Sequence, residues 1–495
     1  MFARLTAGGL VRVAAFVAVM HGFSVVARAD YGGGSGTGTN PYLIFTAEQL
    51  DAIGAQPGDW DKHFKLMADI DLSGYRGTTF HRIGTPDDGP FTGTFDGNYK
   101  TISNFQWVSD WMRYVGLFGF VDGEQVRISN LTLVDSTVAT ESGQYAAVLA
   151  GFVRDATISN CHVRRGTVSG DTGVGALIGK KEGGKVIDCT AQATVHGASR
   201  VGGLIGFSYW GLIEHCDAVC EVTGCTELEC WAVGGLVGEN QNGLMTNCHA
   251  RCTVRGSRGV GGLIGQNATA SIRRSWTDGI VSGEQDIGGM IGRNSGGEIS
   301  DSYSLTDVSG VVFVGGLAGY HGPSCDCTTA KAGVIERCYA AGGVSSVSAP
   351  GGLSPVNDRS RITDSFWDTQ STGCKISAGG TAGTTRQMQT LSTYINAGWD
   401  FVGEDRNGTE DIWCPPASGD YPRLAWQIVI GDLDGNGNVD FRDFAILARQ
   451  WRQTDNGFWS SGAFALADGM IDFDDFDVLT RAWLTGDTQP APHRQ

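Results

Sequence analysis

The chain has 495 residues, with 36 Lys and Arg against 53 Asp and Glu and a formal net charge of −17, a balance that excludes an ordinary nucleic-acid binder because an acidic surface repels phosphate. Its 75 glycines and 12 prolines together make up roughly 18% of the residues, below the 25–30% of low-complexity disorder. With 41% of residues hydrophobic, a folded body is expected.

In chain order, Arg4 and Arg12 flank the start of an apolar stretch from Val13 to Val26, and Ala27-Arg28-Ala29 supplies small residues at a peptidase site. Residues 1–29 therefore read as a signal peptide, and the protein as secreted or attached to the cell surface. The apolar run is shorter than the roughly 20 residues of a spanning helix, and no later run reaches that length, so no membrane span is expected in the mature chain. Residues 30–40, rich in Gly and Ser, read as a flexible spacer. There are 13 cysteines, so at least one is unpaired in a monomer.

One period governs the middle of the chain. VGALIG (174), VGGLIG (201), VGGLVG (233), VGGLIG (260), IGGMIG (287) and VGGLAG (314) start 27, 32, 27, 27 and 27 residues apart. Weaker copies stand at 114, 146 and 350. Within each unit an apolar residue (Ile158, Val186, Ile213, Met245, Ile272, Ile299, Ile362) is followed three positions later by Cys161, Cys189, Cys216, Cys248, Ser275, Ser302 or Ser365. A valine followed by a glycine turn comes next. Three short alternating runs broken by Gly, Asn and Ser predict three strands per unit and no helix. The fold class is thus all-β, a parallel β-solenoid of about ten coils stacked at about 4.8 Å, because one coil alone cannot bury its apolar side. Side chains one repeat apart then form columns. Leu149, Leu177, Leu204, Leu236, Leu263, Met290, Leu317 and Leu353 should point inward, and Asn240, Asn267 and Asn294 should form an amide ladder. Glycine is expected both at corners with positive φ and where backbones approach closely.

The column of Cys161, Cys189, Cys216 and Cys248 reads as small buried hydrophobes, since Ser replaces it in later coils and no acid or imidazole stands at metal-ligand spacing. Cys225 and Cys230, and Cys325 and Cys327, lie in insertions that leave the stack, where surface disulfides are expected. Their pairing is open from the sequence.

The recurring GGLIG-x-N, I-x-x-C/S and V-x-G elements resemble the GLUG-motif repeat family of secreted and surface-attached bacterial proteins. The flanking AEQLDAIG, KHFKLMADIDLSGY and FTGTFDGNYKTISNF, and the later AGWDF and YPRLAWQ, fit that likeness, which covers about 41–427. It implies an N-terminal cap and first coils at 41–113, repeats at 114–373 and a closing segment at 374–427. It implies no particular chemistry.

From Gly431 the sequence changes character. GDLDGNGNVDFRDFAIL offers Asp432, Asp434, Asn436, the Asn438 carbonyl, Asp440 and Asp443 at alternate positions around Gly437, which suits the six to eight oxygens that Ca²⁺ takes. VDFRDFAILARQW (439–451) is echoed by IDFDDFDVLTRAW (471–483), and the pair resembles a small all-α, EF-hand-like type I dockerin module at 428–487, before a tail at 488–495. The second loop keeps only Asp468, Asp472 and Asp475, a weaker site. The resemblance implies a Ca²⁺-dependent partner, a cohesin-like domain or another surface protein.

Two functions are compatible with these features. The first is a secreted or surface-attached binding and adhesion scaffold with a calcium-dependent docking module. The alternative is an extracellular polysaccharide-degrading enzyme, a glycoside hydrolase or polysaccharide lyase of β-helix type, which requires acids aligned in neighbouring coils. Asp188, Asp301 and Asp364 share a column, but His215, Asn247 and Arg274 interrupt it. Asp87, Asp88, Asp96, Glu404, Asp405, Glu410 and Asp411 read as solvated turns. Tyr209, Trp210 and Trp231 are the candidate contacts to a polysaccharide, while Trp399 and Trp426 are expected to cap the end of the solenoid.

Overall fold

The computed structural model describes residues 31–225, 230–325, 327–348, 350–416, 419–427 and Phe444. Its organising feature is one unbroken register. Tyr42, Phe64, Phe95, Ile128, Ile158, Val186, Ile213, Met245, Ile272, Ile299, Ile335 and Ile362 lie one above another in parallel pairing, twelve rungs where about ten coils were expected. All but Ile362 are buried. The two additional rungs come from the N-terminal segment, whose unequal spacings hide the repeat.

Each coil of the repeat array contributes to three faces. The first is an eight-stranded sheet running from Arg113–Val115 to Val312–Gly315. The second is an eight-stranded sheet from Phe118–Asp122 to Ala318–Gly322. The third and broadest gathers the remaining coil strands, such as Thr157–Ser169 and His249–Arg255. The expected Leu column is fully buried, and its backbones are linked coil to coil, as in Leu204 N to Leu236 O (2.9 Å) and Leu236 N to Leu263 O (2.9 Å).

Corners and close approaches use different residues. One corner on the third face holds Asn130, Asn160, Asp188, His215, Asn247, Arg274, Asp301, Arg337 and Asp364, all with φ between 47° and 55°. Left-handed backbone favours Asn and Asp over other non-glycine residues, which accounts for the broken acidic column seen in the sequence. The paired glycines of the repeat instead occupy places with no room for a side chain. A Cβ on Gly203 would lie 2.0 Å from Gly235 O, and one on Gly235 would lie 2.0 Å from Gly262 O.

Two terminal segments differ from expectation. Residues 31–40 are no loose spacer. Gly32 N donates to Leu43 O (2.9 Å) and Leu43 N to Gly33 O (2.9 Å), and Tyr31 packs on Tyr42 and Phe64. The Gly-rich run folds back because glycine permits the positive φ of Gly33, Gly34 and Gly36. A helix at Ala47–Ala55, capped by Thr46, then buries Leu50 and Ile53 against the first rungs.

The start of the closing segment covers the end of the stack, where Thr381–Gly383 pairs in parallel with Phe366–Asp368 and Gly379 and Gly380 lie against Ile362 and Leu353, but Trp399 and Trp426 are not end caps, because they belong to the part of the segment that follows. It runs back along the third face: Trp399 Nε1 donates to Asp364 O (2.8 Å) and Trp426 Nε1 to Arg274 O (2.7 Å). Glu410 pairs with Arg274. The reason is an outward column of rings that needs cover. Tyr303, Tyr339 and Phe366 form a second core with Met388, Tyr394, Trp399, Phe401, Trp413 and Leu424.

Truncating the inward column tests this packing. Leu263→Ala should cost about 2–5 kcal/mol, and Gly235→Ala should lower the melting temperature although it adds only a methyl group; a neutral Gly235→Ala in thermal unfolding would contradict the close approach.

Candidate functional site

The first candidate surface grows out of a buried polar column. Lys181, Ser208, Asn240, Asn267, Asn294 and His321 lie in register behind the second face. The amide ladder exists in part. Asn267 Nδ2 donates to Asn294 Oδ1 (2.8 Å) and Ala270 O (3.1 Å), and the Asn294 amide meets His321 Nδ1 at 3.0 Å. Asn240 has its side-chain amide buried and without a hydrogen bond. Burial pushes His321 down to about 4 and Lys181 down to about 7. Lys181 is 1% exposed, and its Nζ donates to Trp210 O at 2.6 Å. An interior lysine thereby holds the corner that carries Trp210.

Trp210 sits at φ 61° with 53% of its surface exposed. Its ring meets Tyr209 edge-on at 5.8 Å, and Tyr209 lies 6.4 Å from Phe207. The Arg200 guanidinium lies between Phe207 (4.7 Å) and Trp231 (5.0 Å). Tyr209, Trp210 and Trp231, chosen from sequence, are thus joined into one row by Phe207 and Arg200, which were not chosen. The signal that could have found them is register: Phe207 stands in the column of Lys180, Glu239 and Arg293, and Arg200 directly precedes Val201 as Asp286 precedes Ile287. The row continues with Phe120 stacked on Phe152 (5.0 Å), Lys180 over Phe152 (4.6 Å) and Arg293 over Tyr320 (3.9 Å).

The second surface lies on the third face. The residue after the Cys/Ser position points outward, and that column reads His162, Thr190, Asp217, His249, Trp276, Tyr303, Tyr339 and Phe366. The polar-to-aromatic change at Trp276 marks where the closing segment begins to cover it. This change is visible in the sequence immediately after each Cys or Ser and was missed there. At the boundary His249 stacks on Trp276 (3.6 Å). Its Nε2 lies 3.2 Å from Asp278 and its Nδ1 3.7 Å from Asp217. Burial raises Asp217 despite the neighbouring histidines. Asp278 is opposed by burial, yet its bond to His249 and the Arg251 guanidinium hold it below the usual carboxylate range. Two acids from different coils therefore flank one imidazole with their proton affinities pushed apart.

Several of the remaining candidates have structural roles. Arg337 forks onto Asp301 (2.7 and 3.0 Å). Asp96 accepts from Asn98 N (2.9 Å) and Asn130 (3.1 Å), and Asp88 closes a turn with Thr85. Cys161, Cys189, Cys216 and Cys248 are buried and unbridged, with Sγ donating to carbonyls two residues back, as in Cys189 to Ile187 O (3.2 Å). Ser275 does the same with Arg273 O (2.8 Å), which explains why Ser and Cys interchange. Disulfides join Cys225 to Cys230 and Cys325 to Cys327. Among the described residues no group of three His, Cys, Asp or Glu is placed to hold a metal. Asp432, Asp434, Asn436, Asn438, Asp440, Asp443, Asp468, Asp472 and Asp475 lie outside the described residues.

Residues 229–255 match the family described as the GLUG motif. The array is therefore a parallel β-solenoid carrying that motif. Over 161 residues the chain is 34% identical to Halomucin of Haloquadratum walsbyi, a match that spans 31% of this chain and 2% of that protein. Over 127 residues it is 35% identical to a protein of Evansella cellulosilytica named as a Gly-rich membrane protein, spanning 25% of this chain and 14% of that one. The chain thus covers a small part of these relatives' length. A solved Bacteroides ovatus chain titled as an immunoglobulin A1 protease aligns at 18% identity over 80% of this chain and 95% of that one. Its TM-score of 0.35 is too low to bear on fold or activity. Among the described residues no helix is long and apolar enough to cross a membrane.

The buried lysine gives a pH signature. Because Lys181 is pushed from 10.5 to about 7 in the folded chain, the unfolded chain binds the extra proton between those values, and stability must rise with pH across that window. Relative to Lys181→Met, the native chain should gain on the order of 4 kcal/mol between pH 7 and 10.5. Equal pH slopes of the two chains in denaturant titrations would refute the burial of the ammonium.

Proposed function

We propose that this chain is a secreted or surface-attached repeat scaffold that binds polysaccharide along its ring-bearing corner and docks through a Ca²⁺-dependent C-terminal module. The observation that carries the reading is the twelve-rung register, which makes a rigid rod whose outward residues repeat at about 4.8 Å. Such a surface suits an extended chain better than a compact ligand. The half-exposed row through Trp231, Phe207, Tyr209 and Trp210 lies on that rod. The relatives named Halomucin and Gly-rich membrane protein agree with a place at the cell surface. The sequence pattern of residues 1–29, that of a signal peptide, supports export. The loop of Asp432, Asp434, Asn436, Asn438, Asp440 and Asp443 supplies oxygen ligands for the docking module, whose partner is a cohesin-like domain or another surface protein.

The second reading, cleavage of polysaccharide, is favoured by Asp217 and Asp278 on either side of His249. One acid inclined to hold its proton and one inclined to lose it are what glycoside hydrolysis uses.

Incubation of the secreted protein with plant and algal glycans separates the two. The scaffold reading expects retention on at least one glycan, lost in Tyr209→Ala/Trp210→Ala, and no new reducing ends or unsaturated products. Turnover that disappears in Asp217→Asn would favour the enzyme instead. For the module, calorimetry of the full chain should show Ca²⁺ binding that Asp432→Ala/Asp434→Ala abolishes, and a chain giving no heat would remove calcium from the account.

A further inference from the structure

At the corner between the first and second faces, guanidinium groups and rings form the outer layer while carboxylates lie beneath them. The corner positions of four successive coils are Arg200, Ala232, Gly259 and Asp286, all at positive φ. Ala232 and Gly259 are buried, so the longer side chains around them close over these two rungs. Arg200 gives its Nε to Glu239 (2.5 Å) and lies against Phe207 and Trp231. Three coils on from Arg200, Asp286 faces Arg258 (3.5 Å) and Arg293 (3.2 Å), and Arg293 covers Tyr320. The side chains of Glu239 and Asp286 are 6% and 1% exposed, whereas those of Arg200, Arg258 and Arg293 are 28%, 44% and 31% exposed. Of these five groups the ones presented to solvent are therefore the positive ones, on a chain whose net charge is −17.

We propose that this corner binds an acidic polysaccharide, whose carboxylate or sulfate groups meet Arg200, Arg258 and Arg293 while its sugar rings lie along Trp231, Phe207 and Tyr320. The inference rests on the scaffold reading above and names the ligand class. Buried acids make good positioning residues: each fixes one edge of a guanidinium and leaves the rest of its five-donor fork for a planar anion. A lysine in the same place would offer a point charge without that fork. The rings supply the apolar surface that sugar C–H faces require. A single-stranded nucleic acid fits less well. It would need ring platforms in succession for its bases, whereas here the rings alternate with guanidinium groups, which suits discrete anionic groups set between sugar units.

The test measures binding of the full chain to sodium polygalacturonate, to heparin, to fully methyl-esterified polygalacturonate and to a single-stranded oligonucleotide. Binding to polygalacturonate or heparin should weaken with added salt and fall at least about tenfold in Arg200→Gln and in Arg258→Gln, where a charge-assisted fork is lost. Arg200→Lys should recover only part of it. Glu239→Gln should weaken binding and shift Trp231 fluorescence without altering the far-ultraviolet spectrum, as expected of a residue that positions Arg200. Equal affinity for the esterified polymer, indifferent to the arginine variants, would overturn the proposal while leaving the polysaccharide scaffold intact. No binding to either acidic polymer, or oligonucleotide binding as tight as theirs, would also overturn it. New reducing ends would count against the non-catalytic scaffold and are scored separately from affinity.

Discussion

Everything in this molecule depends on parallel hydrogen bonding between backbones one repeat apart. Leu204, Leu236, Leu263, Met290 and Leu317 are joined in this way, each amide to the carbonyl one coil on. Because the link is backbone to backbone, the spacing of coils is set by strand geometry and not by side-chain size. Side chains must accommodate it. Where coils come too close for a Cβ, as at Gly203 and Gly235, only glycine serves. Where the chain turns left-handed, Asn and Asp recur with some Arg and His. The high glycine content is a consequence of tight stacking.

The same constraint produces both candidate surfaces. Fixed register turns any residue position into a stripe, so the surface chemistry of a coil is extended or altered one rung at a time. On the third face the stripe changes from His162, Thr190, Asp217 and His249 to Trp276, Tyr303, Tyr339 and Phe366. The aromatic part is covered by the closing segment, and His162, Thr190 and Asp217 remain partly open beyond the buried His249. At the opposite corner the stripe mixes rings with arginines, and the buried carboxylates of Glu239 and Asp286 hold the cations in place. Interior polar groups take part as well, since Lys181 reaches the carbonyl of Trp210 through the wall.

Much of this was legible in the sequence because a period is a geometric statement. The Leu column, the small buried cysteines and part of the Asn ladder follow directly from positions 27 residues apart. The N-terminal rungs were not legible, because Tyr42, Phe64 and Phe95 recur at unequal spacing. The path of residues 385–427 was hidden for a different reason: Trp399 and Trp426 are apolar wherever they pack, and only the stripe of outward rings after each Cys or Ser indicates which side they cover. Glu239 and Asp286 carried no local motif. Their significance lies in which arginine stands one coil away or across the turn of the same coil, and that requires register across the strand as well as along the repeat.

A cross-link most directly tests the stacking of adjacent coils. Arg255 and Ser282 are register partners on neighbouring coils of the third face, and stacked strands bring such Cα atoms within the about 4.4–6.8 Å that a disulfide spans. The chain carrying Arg255→Cys and Ser282→Cys should oxidise to a single intramolecular bond and gain resistance to unfolding, whereas Arg255→Cys with Ser309→Cys, two coils apart, should not. Ready bridging of the two-coil pair, or none of the one-coil pair, would contradict the register on which the fold and both surfaces rest.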